Sequence, residues 1–415
     1  MKCLLVPIGS AGDVHPFVGL GLALRERGHQ VTFVTGSPFE ALIRRLGFDF
    51  HSVFAEEEYN RFLEDPDAWH PRKGFLKIMA WIADLMPRVY EALASLDEPG
   101  RTVVAAGTLA LGARVAQEKL GVALATVHLS PSAFYSVYEP PVLPGLPMPA
   151  WLPHAAKRLM FWLADTLVVD RALAGPINGF RAGLGLPPAR RFFNKWYHSP
   201  RRVVGLFPEW FAPPQPDWPP QTRLTGFPLY DERDVAEVPA EVSRFLDAGE
   251  PPVVFTPGSA MVHGRDFFAA AVEACRLLGR RGLLLTRFPE QLPPDLPEEV
   301  RHFPYVPFSQ VLPRAAALVH HGGIGTSAQA LAAGVPQLVM PMAYDQPDNA
   351  ARLRRLGLAA SLRRQDFRGP LVARALGQLL GSEEVAANCQ AVAARLKGSR
   401  AIERTCEELE ALSSV

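Results

Sequence analysis

Short apolar runs alternate with glycine-containing loops and amphipathic stretches along this chain. Residues 2–7 form the first apolar run, GSAGD follows, and the spacing over 16–27 predicts a helix that Gly28 ends. A β-rich run covers 29–35; a strand over 102–106, a helix over 111–119 and a strand over 123–128 continue the rhythm. Strand, glycine loop, helix and strand is how a doubly wound α/β domain begins. Residues 55–95 break the alternation and are rich in aromatic and long apolar side chains. Prolines then cluster between 208 and 252, as in FAPPQPDWPP and GEPP. Proline breaks helices and cannot donate to a sheet, so this stretch reads as a linker. Beyond it come a strand over 252–256, PGSA, a helix over 267–278, and strands over 283–286, 317–321 and 337–340. The pattern predicts an α/β protein of two Rossmann-like, doubly wound domains facing a central cleft. Their expected limits are 1–212 and 251–396, with a linker over 213–250 and a last helix over about 397–415 packing back on the first domain.

Length supports two domains, since 415 residues exceed one ordinary core. A hydrophobic content of 48% with 20% charged residues belongs to a globular enzyme, not a disordered or fibrous chain. The net charge of +1 argues against nucleic acid or an anionic membrane as the main partner. Four cysteines (Cys3, Cys275, Cys389, Cys406) lie far apart and have neither metal-ligand nor redox spacing. They read as reduced cytosolic thiols. The first apolar run is too short for a signal peptide. No run approaches the roughly 20 residues of a membrane span. The nearest, 159–169, is interrupted by Asp165 and reads as a buried or surface-lying amphipathic helix. The expected location is cytoplasmic, with room for peripheral association with the inner membrane.

Candidate chemistry concentrates in LVHHGGIGTSAQALAAG, residues 318–334. A Walker loop needs a lysine here and none is present. A dinucleotide fingerprint needs a carboxylate ending the second strand, where this chain has Val34-Thr35-Gly36-Ser37. The remaining reading is a backbone cradle. Gly322, Gly323 and Gly325 let the main chain approach a ligand, and Thr326 and Ser327 open a helix whose N-terminus attracts an anion. Neighbouring strand residues point to opposite sides, so one of His320 and His321 faces the ligand; His321 is the expected one. A tight turn with two structural histidines is the bland alternative. Downstream, PMAYDQPDNA puts Asp345 and Gln346 at a second strand-to-helix turn, where they suit sugar hydroxyls; the rival role for Asp345 is a helix cap.

The segment YVPFSQVLPRAAALVHHGGIGTSAQALAAGVPQLVMPMAYDQ resembles the donor-binding signature of inverting nucleotide-sugar glycosyltransferases of GT-B fold, the UDP-glycosyltransferase superfamily. The likeness extends over essentially the whole chain. GSAGDVHPF, LGARVAQEKLG, HLSPSAF, WYHSPRRVVGLFPEWFAPPQPDWPP and TGFPLYD are most similar to the rhamnosyltransferases of rhamnolipid biosynthesis. The resemblance implies that Tyr305 stacks on the nucleotide base and the backbone of Val306 hydrogen-bonds it. His321, Gly323, Thr326 and Ser327 would meet the diphosphate, with Ser259 reaching it from PGSA; Asp345 and Gln346 would bind the sugar. Gln329 stands where the plant-type signature has a glutamate on the ribose, which leaves open whether the donor carries uridine or deoxythymidine. No cofactor and no metal are expected: Asp65-Pro66-Asp67 has the letters of a metal motif but lies far from the signature.

Transfer to a hydroxyl requires a base. Many relatives place a histidine after the first-strand glycine, oriented by a distant aspartate. This chain has Asp13 there, and residues 103–109, VVAAGTL, supply no orienting carboxylate. Asp13 is therefore the candidate base, with His15 second and a helix-cap role as its rival. Phe75, Trp81, Met86, Phe134, Tyr135 and Tyr138 are candidate acceptor contacts, against a plain core role. The implied activity is transfer of a hexose, L-rhamnose from dTDP-rhamnose, to a lipophilic acceptor such as a 3-(3-hydroxyalkanoyloxy)alkanoic acid. The alternatives are a UDP-glucose-dependent glucosyltransferase of sterol, terpenoid or flavonoid hydroxyls, a sugar-nucleotide epimerase, and a non-catalytic nucleotide-sugar-binding partner.

Overall fold

In the computed structural model, which describes residues 1–70, 73–233 and 235–413, the chain divides into two compact units. One comprises residues 1–228 and 400–415, the other 229–399. The first holds a seven-stranded sheet built from β1 (Lys2–Val6), β2 (Gln30–Thr35), β3 (Asp49–Ser52), β4 (Thr102–Gly107), β5 (Ala123–His128), β6 (Arg202–Gly205) and β7 (Thr222–Leu224). Its order is β3-β2-β1-β4-β5-β6-β7, and every pairing is parallel. The second unit has β8 (Val253–Thr256), β9 (Gly282–Leu285), β10 (Val300–Phe303), β11 (Ala317–His320), β12 (Gln337–Val339) and β13 (Ala359–Ser361). They run β10-β9-β8-β11-β12-β13, again all parallel. Both units are Rossmann-like.

Central strands such as Leu4-Leu5-Val6 and Val253-Val254-Phe255 are fully buried, because helices cover both faces of a parallel sheet. In each sheet the chain winds outward from a central strand, then returns to its other side. That puts a topological switch between β1 and β4 in one unit and between β8 and β11 in the other. Ligands of such sheets bind beyond the carboxyl ends of the strands at the switch.

Three sequence expectations need correction. The first helix is Ala11–Glu26, beginning five residues before Pro16, because Ser10 and Asp13 form a capping box that starts it early. The segment 213–250 is not one linker: β7 pairs with β6 in the first unit, while helix Ala240–Asp247 buries Val242 and Leu246 in the core of the second. The unit boundary accordingly falls at Pro228, not at 212. The last helix, Ala401–Ser413, belongs to the first unit. There Glu410 takes hydrogen bonds from Arg27 at 2.8 and 2.6 Å, and Glu408 pairs with Arg202 at 2.7 Å. No helix among the described residues is long and apolar enough to cross a membrane.

Candidate active site

At the switch point of the second unit, two loops leave adjacent strand ends. PGSA follows β8, and HGGIGTS follows β11 and opens helix Ile324–Ala333. Gly323 is the N-cap; no side chain caps the helix and no acid lies in its first turn, so its N-terminal field is not neutralised locally. The two histidines separate cleanly. His320 is fully buried: its Nε2–H donates to Gln337 Oε1 at 3.0 Å, and its Nδ1 accepts from Gly322 N–H at 3.1 Å. Burial pushes it down to about 3, so it is a neutral brace that shapes the turn. His321 lies just past the strand, half-buried, with Nδ1 shielded from solvent and without a partner. Burial lowers it to about 4. Its ring fits because two glycines clear it. A Cβ on Gly258, whose φ is +106°, would lie 2.9 Å from Cε1, and one on Gly323 would lie 2.5 Å from Nε2. Ser259, next to Gly258, is exposed, and Thr326 is half-buried.

Some expected ligand groups are used within the protein. Ser327 is fully buried and its hydroxyl donates to the Gly323 carbonyl at 3.0 Å, which steadies the turn. Gln346 is buried, its Oε1 accepting from the N–H groups of Met342 and Ala343 at 2.8 and 3.1 Å. Asp345 is the N-cap of helix Gln346–Arg355 but makes no capping bond. Its Oδ2 accepts instead from Asn349 Nδ2 at 2.7 Å, and the same amide donates to the Gly322 carbonyl at 2.9 Å. Asn349, which the sequence did not single out, thus ties the loop before helix Gln346–Arg355 to the glycine loop. Its signal was the PDNA that follows Asp345.

Tyr305 follows β10. Its hydroxyl donates to the Asp231 carbonyl at 2.7 Å, and the Arg287 guanidinium lies 5.4 Å from its ring centre. Asp231 also accepts from Ser309 N–H at 2.6 Å, while Gln329, itself buried, donates to the Tyr230 carbonyl at 3.4 Å. Val306 beside Tyr305 is buried. A strap at 230–231 therefore braces Tyr305 and Gln329; TGFPLYD was its visible trace.

At the switch point of the first unit stands Asp13. Its Oδ2 accepts from Ser10 N–H at 2.7 Å and Ser10 Oγ at 3.1 Å, so the capping role is real. Neither bond uses Oδ1. Desolvation outweighs those bonds and raises the carboxyl to about 6. Cap and base are compatible, since the box fixes the carboxylate while burial makes it a better proton acceptor. His15 is half-buried on the same helix. A buried polar chain that the sequence did not reveal begins beyond β4: Thr108 Oγ1 meets His128 Nδ1 at 3.0 Å, and His128 Nε2 meets His198 Nδ1 at 3.1 Å. Burial holds both imidazoles neutral, His198 at about 3.

The acceptor candidates divide. Met86 and Phe134 are corrected to core. Met86 is buried among helices, and Phe134 stacks on Trp218 with centroids 4.5 Å apart, leaving no surface for an acceptor. Trp81 stacks on Phe62 at 5.2 Å and meets Phe54 edge-on, and Phe75 meets Phe193 edge-on. Tyr135 is half-buried against Phe161, and Tyr138 is exposed. Asp65 and Asp67 pair with Lys77 and Lys73 at 2.7 and 3.0 Å.

Two parallel-sheet units, one with an uncapped helix behind a glycine loop and one with a perturbed carboxylate, have the architecture of GT-B glycosyltransferases. The glycosyltransferase of kitacinnamycin shares the fold, with a TM-score of 0.75 at 21% identity over 99% of this chain and 98% of that one. So does the spinosyn rhamnosyltransferase SpnG complexed with thymidine diphosphate, with a TM-score of 0.68 at 18% identity over 98% and 100%. Residues 3–139 match the glycosyltransferase family 28 N-terminal domain, and residues 286–412 match the erythromycin biosynthesis protein CIII-like C-terminal domain. The O-mycaminosyltylonolide 6-deoxyallosyltransferase of Streptomyces fradiae is 34% identical over 381 residues, covering 87% of this chain and 85% of its own. The chain belongs to this family of nucleotide-sugar glycosyltransferases and is a hexosyltransferase.

Proposed function

We propose that the protein transfers a 6-deoxyhexose, L-rhamnose from dTDP-rhamnose, to a hydroxyl of a lipophilic acceptor such as a 3-(3-hydroxyalkanoyloxy)alkanoic acid, with inversion and without a metal ion. The observation that carries the mechanism is the half-buried Asp13 carboxyl, fixed by Ser10 and raised to about 6. Asp13 takes the proton from the acceptor hydroxyl as its oxygen bonds to the anomeric carbon. The bond from that carbon to the diphosphate oxygen breaks, and the nucleoside diphosphate leaves with the electron pair. Its charge is met by the N-terminus of helix Ile324–Ala333, with Thr326 and neutral His321 as further hydrogen-bonding groups. Tyr305 stacks on the base, and Asp345 meets the sugar.

Two features support a deoxythymidine donor. Gln329, in the ribose position of the signature, is an amide directed at the Tyr230 carbonyl, so that position offers no carboxylate to a 2′-hydroxyl. Two similar proteins are described as a 6-deoxyallosyltransferase and as a rhamnosyltransferase complexed with thymidine diphosphate. The lipophilic acceptor is supported by the motif likeness and by the stacking of half-buried Tyr135 on Phe161.

A thermal-shift comparison followed by turnover tests this reading. dTDP-rhamnose should raise Tm more than UDP-glucose, since a ligand of the native state stabilises it. Each added methylene in the acceptor should raise kcat/KM about fourfold until the site is filled, from about 0.8 kcal/mol per methylene. Chelator should leave turnover unchanged. A preference for UDP-glucose with sterol, terpenoid or flavonoid hydroxyls would replace this assignment. Equal activity on short polar alcohols would sink the lipophilic acceptor.

A further inference from the structure

The first unit carries an exposed apolar surface. Twelve large apolar side chains are exposed among the described residues, and eight of them fall between residues 138 and 168. Trp151, 80% exposed, precedes helix His154–Ala164. That helix presents Leu159, Trp162 and Leu163 outward at the i, i+3, i+4 spacing of one face. A five-residue π turn, Asp165–Val169, follows, and then helix Asp170–Gly183. In a π turn positions five apart overlie. Leu167, 60% exposed, and Val168 therefore extend the ridge of Trp162 and Leu163 instead of rotating away. The opposite side is already packed: Lys157, Phe161, Asp165 and Val169 are buried, followed by Leu173 and Ile177 in the next helix. An exposed apolar ridge on a helix whose other side is already packed marks a surface for a second apolar neighbour.

Charge indicates what that neighbour is. Residues 151–199 contain seven Lys and Arg against two Asp, so this stretch carries +5 in a chain whose net charge is +1. Arg158, Arg171, Arg190, Arg191 and Lys195 are exposed. Asp165 is 1% exposed, and Asp170 accepts from the N–H groups of Arg191 and Phe192 at 3.0 and 3.3 Å. These bonds also hold the basic 190–195 segment against the helical ridge. Tryptophan and leucine flanked by arginine suit the boundary between acyl chains and anionic headgroups.

We propose that the ridge formed by Trp151, Leu159, Trp162, Leu163, Leu167 and Val168, with its arginine rim, docks the protein on the surface of an anionic lipid bilayer. The ridge contains none of the donor or base residues, and the proposal does not depend on the acceptor assigned above.

Sedimentation of the full chain with vesicles tests it. The protein should bind phosphatidylglycerol–phosphatidylcholine vesicles, bind pure phosphatidylcholine vesicles more weakly, and lose binding as salt rises. Trp162→Ser with Leu167→Ser should lower partitioning by on the order of tenfold or more. Arg158→Glu should weaken binding to the anionic vesicles alone, and Leu371→Ser in the other unit should change nothing. The wild-type chain provides a check that needs no variant: acyl-brominated phosphatidylglycerol should quench its tryptophan fluorescence. Absence of binding and quenching, or unchanged binding by a folded double variant, would overturn the proposal. So would self-association that the double variant abolishes in a protein that ignores vesicles, because the ridge would then be a protein interface.

Discussion

The loops after β1 and β11 each flank the switch point of a parallel sheet, on opposite sides of it, and carry opposite chemistry. After β1 a carboxylate is held at the N-terminal turn of a helix by Ser10, and desolvation raises it toward neutrality. After β11 the helix N-terminus has no acid in its first turn and is faced by an imidazole that burial keeps uncharged. The same strand–loop–helix grammar thus places a carboxylate at the helix start in one unit and leaves the helix N-terminus uncapped in the other. The first-turn acid is one difference between them; the glycines that clear the His321 ring are another.

The comparison can be broken most severely at Asp13. Asp13→Asn should leave nucleoside-diphosphate binding nearly intact while turnover falls by roughly 10²–10⁴-fold, the range for a lost general base. Near-normal turnover would transfer the role to His15. The two histidines of the other loop should then separate. His320→Ala removes a buried group bonded to Gln337 and Gly322, so it should cost about 2 kcal/mol of stability by denaturant titration, with little change in intrinsic nucleotide affinity. His321→Ala should keep Tm and weaken nucleoside-diphosphate binding about tenfold by calorimetry. The reverse ranking would mean that the wrong ring faces the ligand.

A smaller effect should follow from Asn349→Ala, which unties Gly322 from Asp345. Donor KM should rise several-fold, by roughly the 0.5–1.5 kcal/mol of a hydrogen bond, with acceptor KM unchanged. An acceptor effect alone would show that the two loops do not act together. The smallest effect is expected in the first unit, at its last helix. Hydrogen bonds from Arg27 hold Glu410 down at about 2 against an ordinary 4.5. Its stabilising contribution is therefore present above about pH 4.5 and is lost as pH falls toward 2. Glu410→Gln should lower Tm slightly at neutral pH and flatten that acid dependence. An unchanged acid dependence would remove the pair from the stability of the first unit.

The sequence revealed the interior strands and concealed the edges. Both faces of β1, β4, β8 and β11 are covered, so they read as apolar runs. The strands at the sheet edges are β3 (DFHS), β7 (TRL), β10 (VRHF) and β13 (AAS), too short or too polar to register. Interior β6 was missed as well, because RVVG is only four residues long and prolines flank it at 200 and 208. In the site, glycine spacing marked the cradle, but composition cannot say which polar group the turn uses for itself. Ser327 and Gln346 hold their own loops, whereas His321 retains an unpartnered nitrogen. Aromatic residues were ambiguous for the same reason: Phe134 and Tyr138 sit in one loop, one in the core and the other in solvent. Over 159–168 apolar residues fall on both the buried and the exposed side, and only the packing shows which side lacks a neighbour.

The most direct test of the contrast between the loops is the pH dependence of kcat/KM alongside that of nucleoside-diphosphate binding. If the raised carboxyl of Asp13 is the base, kcat/KM falls on the acid side with an apparent pKa of about 6, and the residual activity of Asp13→Asn lacks that limb. Diphosphate affinity should stay nearly constant over the same range, because His321, at about 4, remains neutral. An acid limb that persists unchanged in Asp13→Asn, or a diphosphate affinity that strengthens as pH falls through about 6, would contradict the assignment of charge to one loop and its absence to the other.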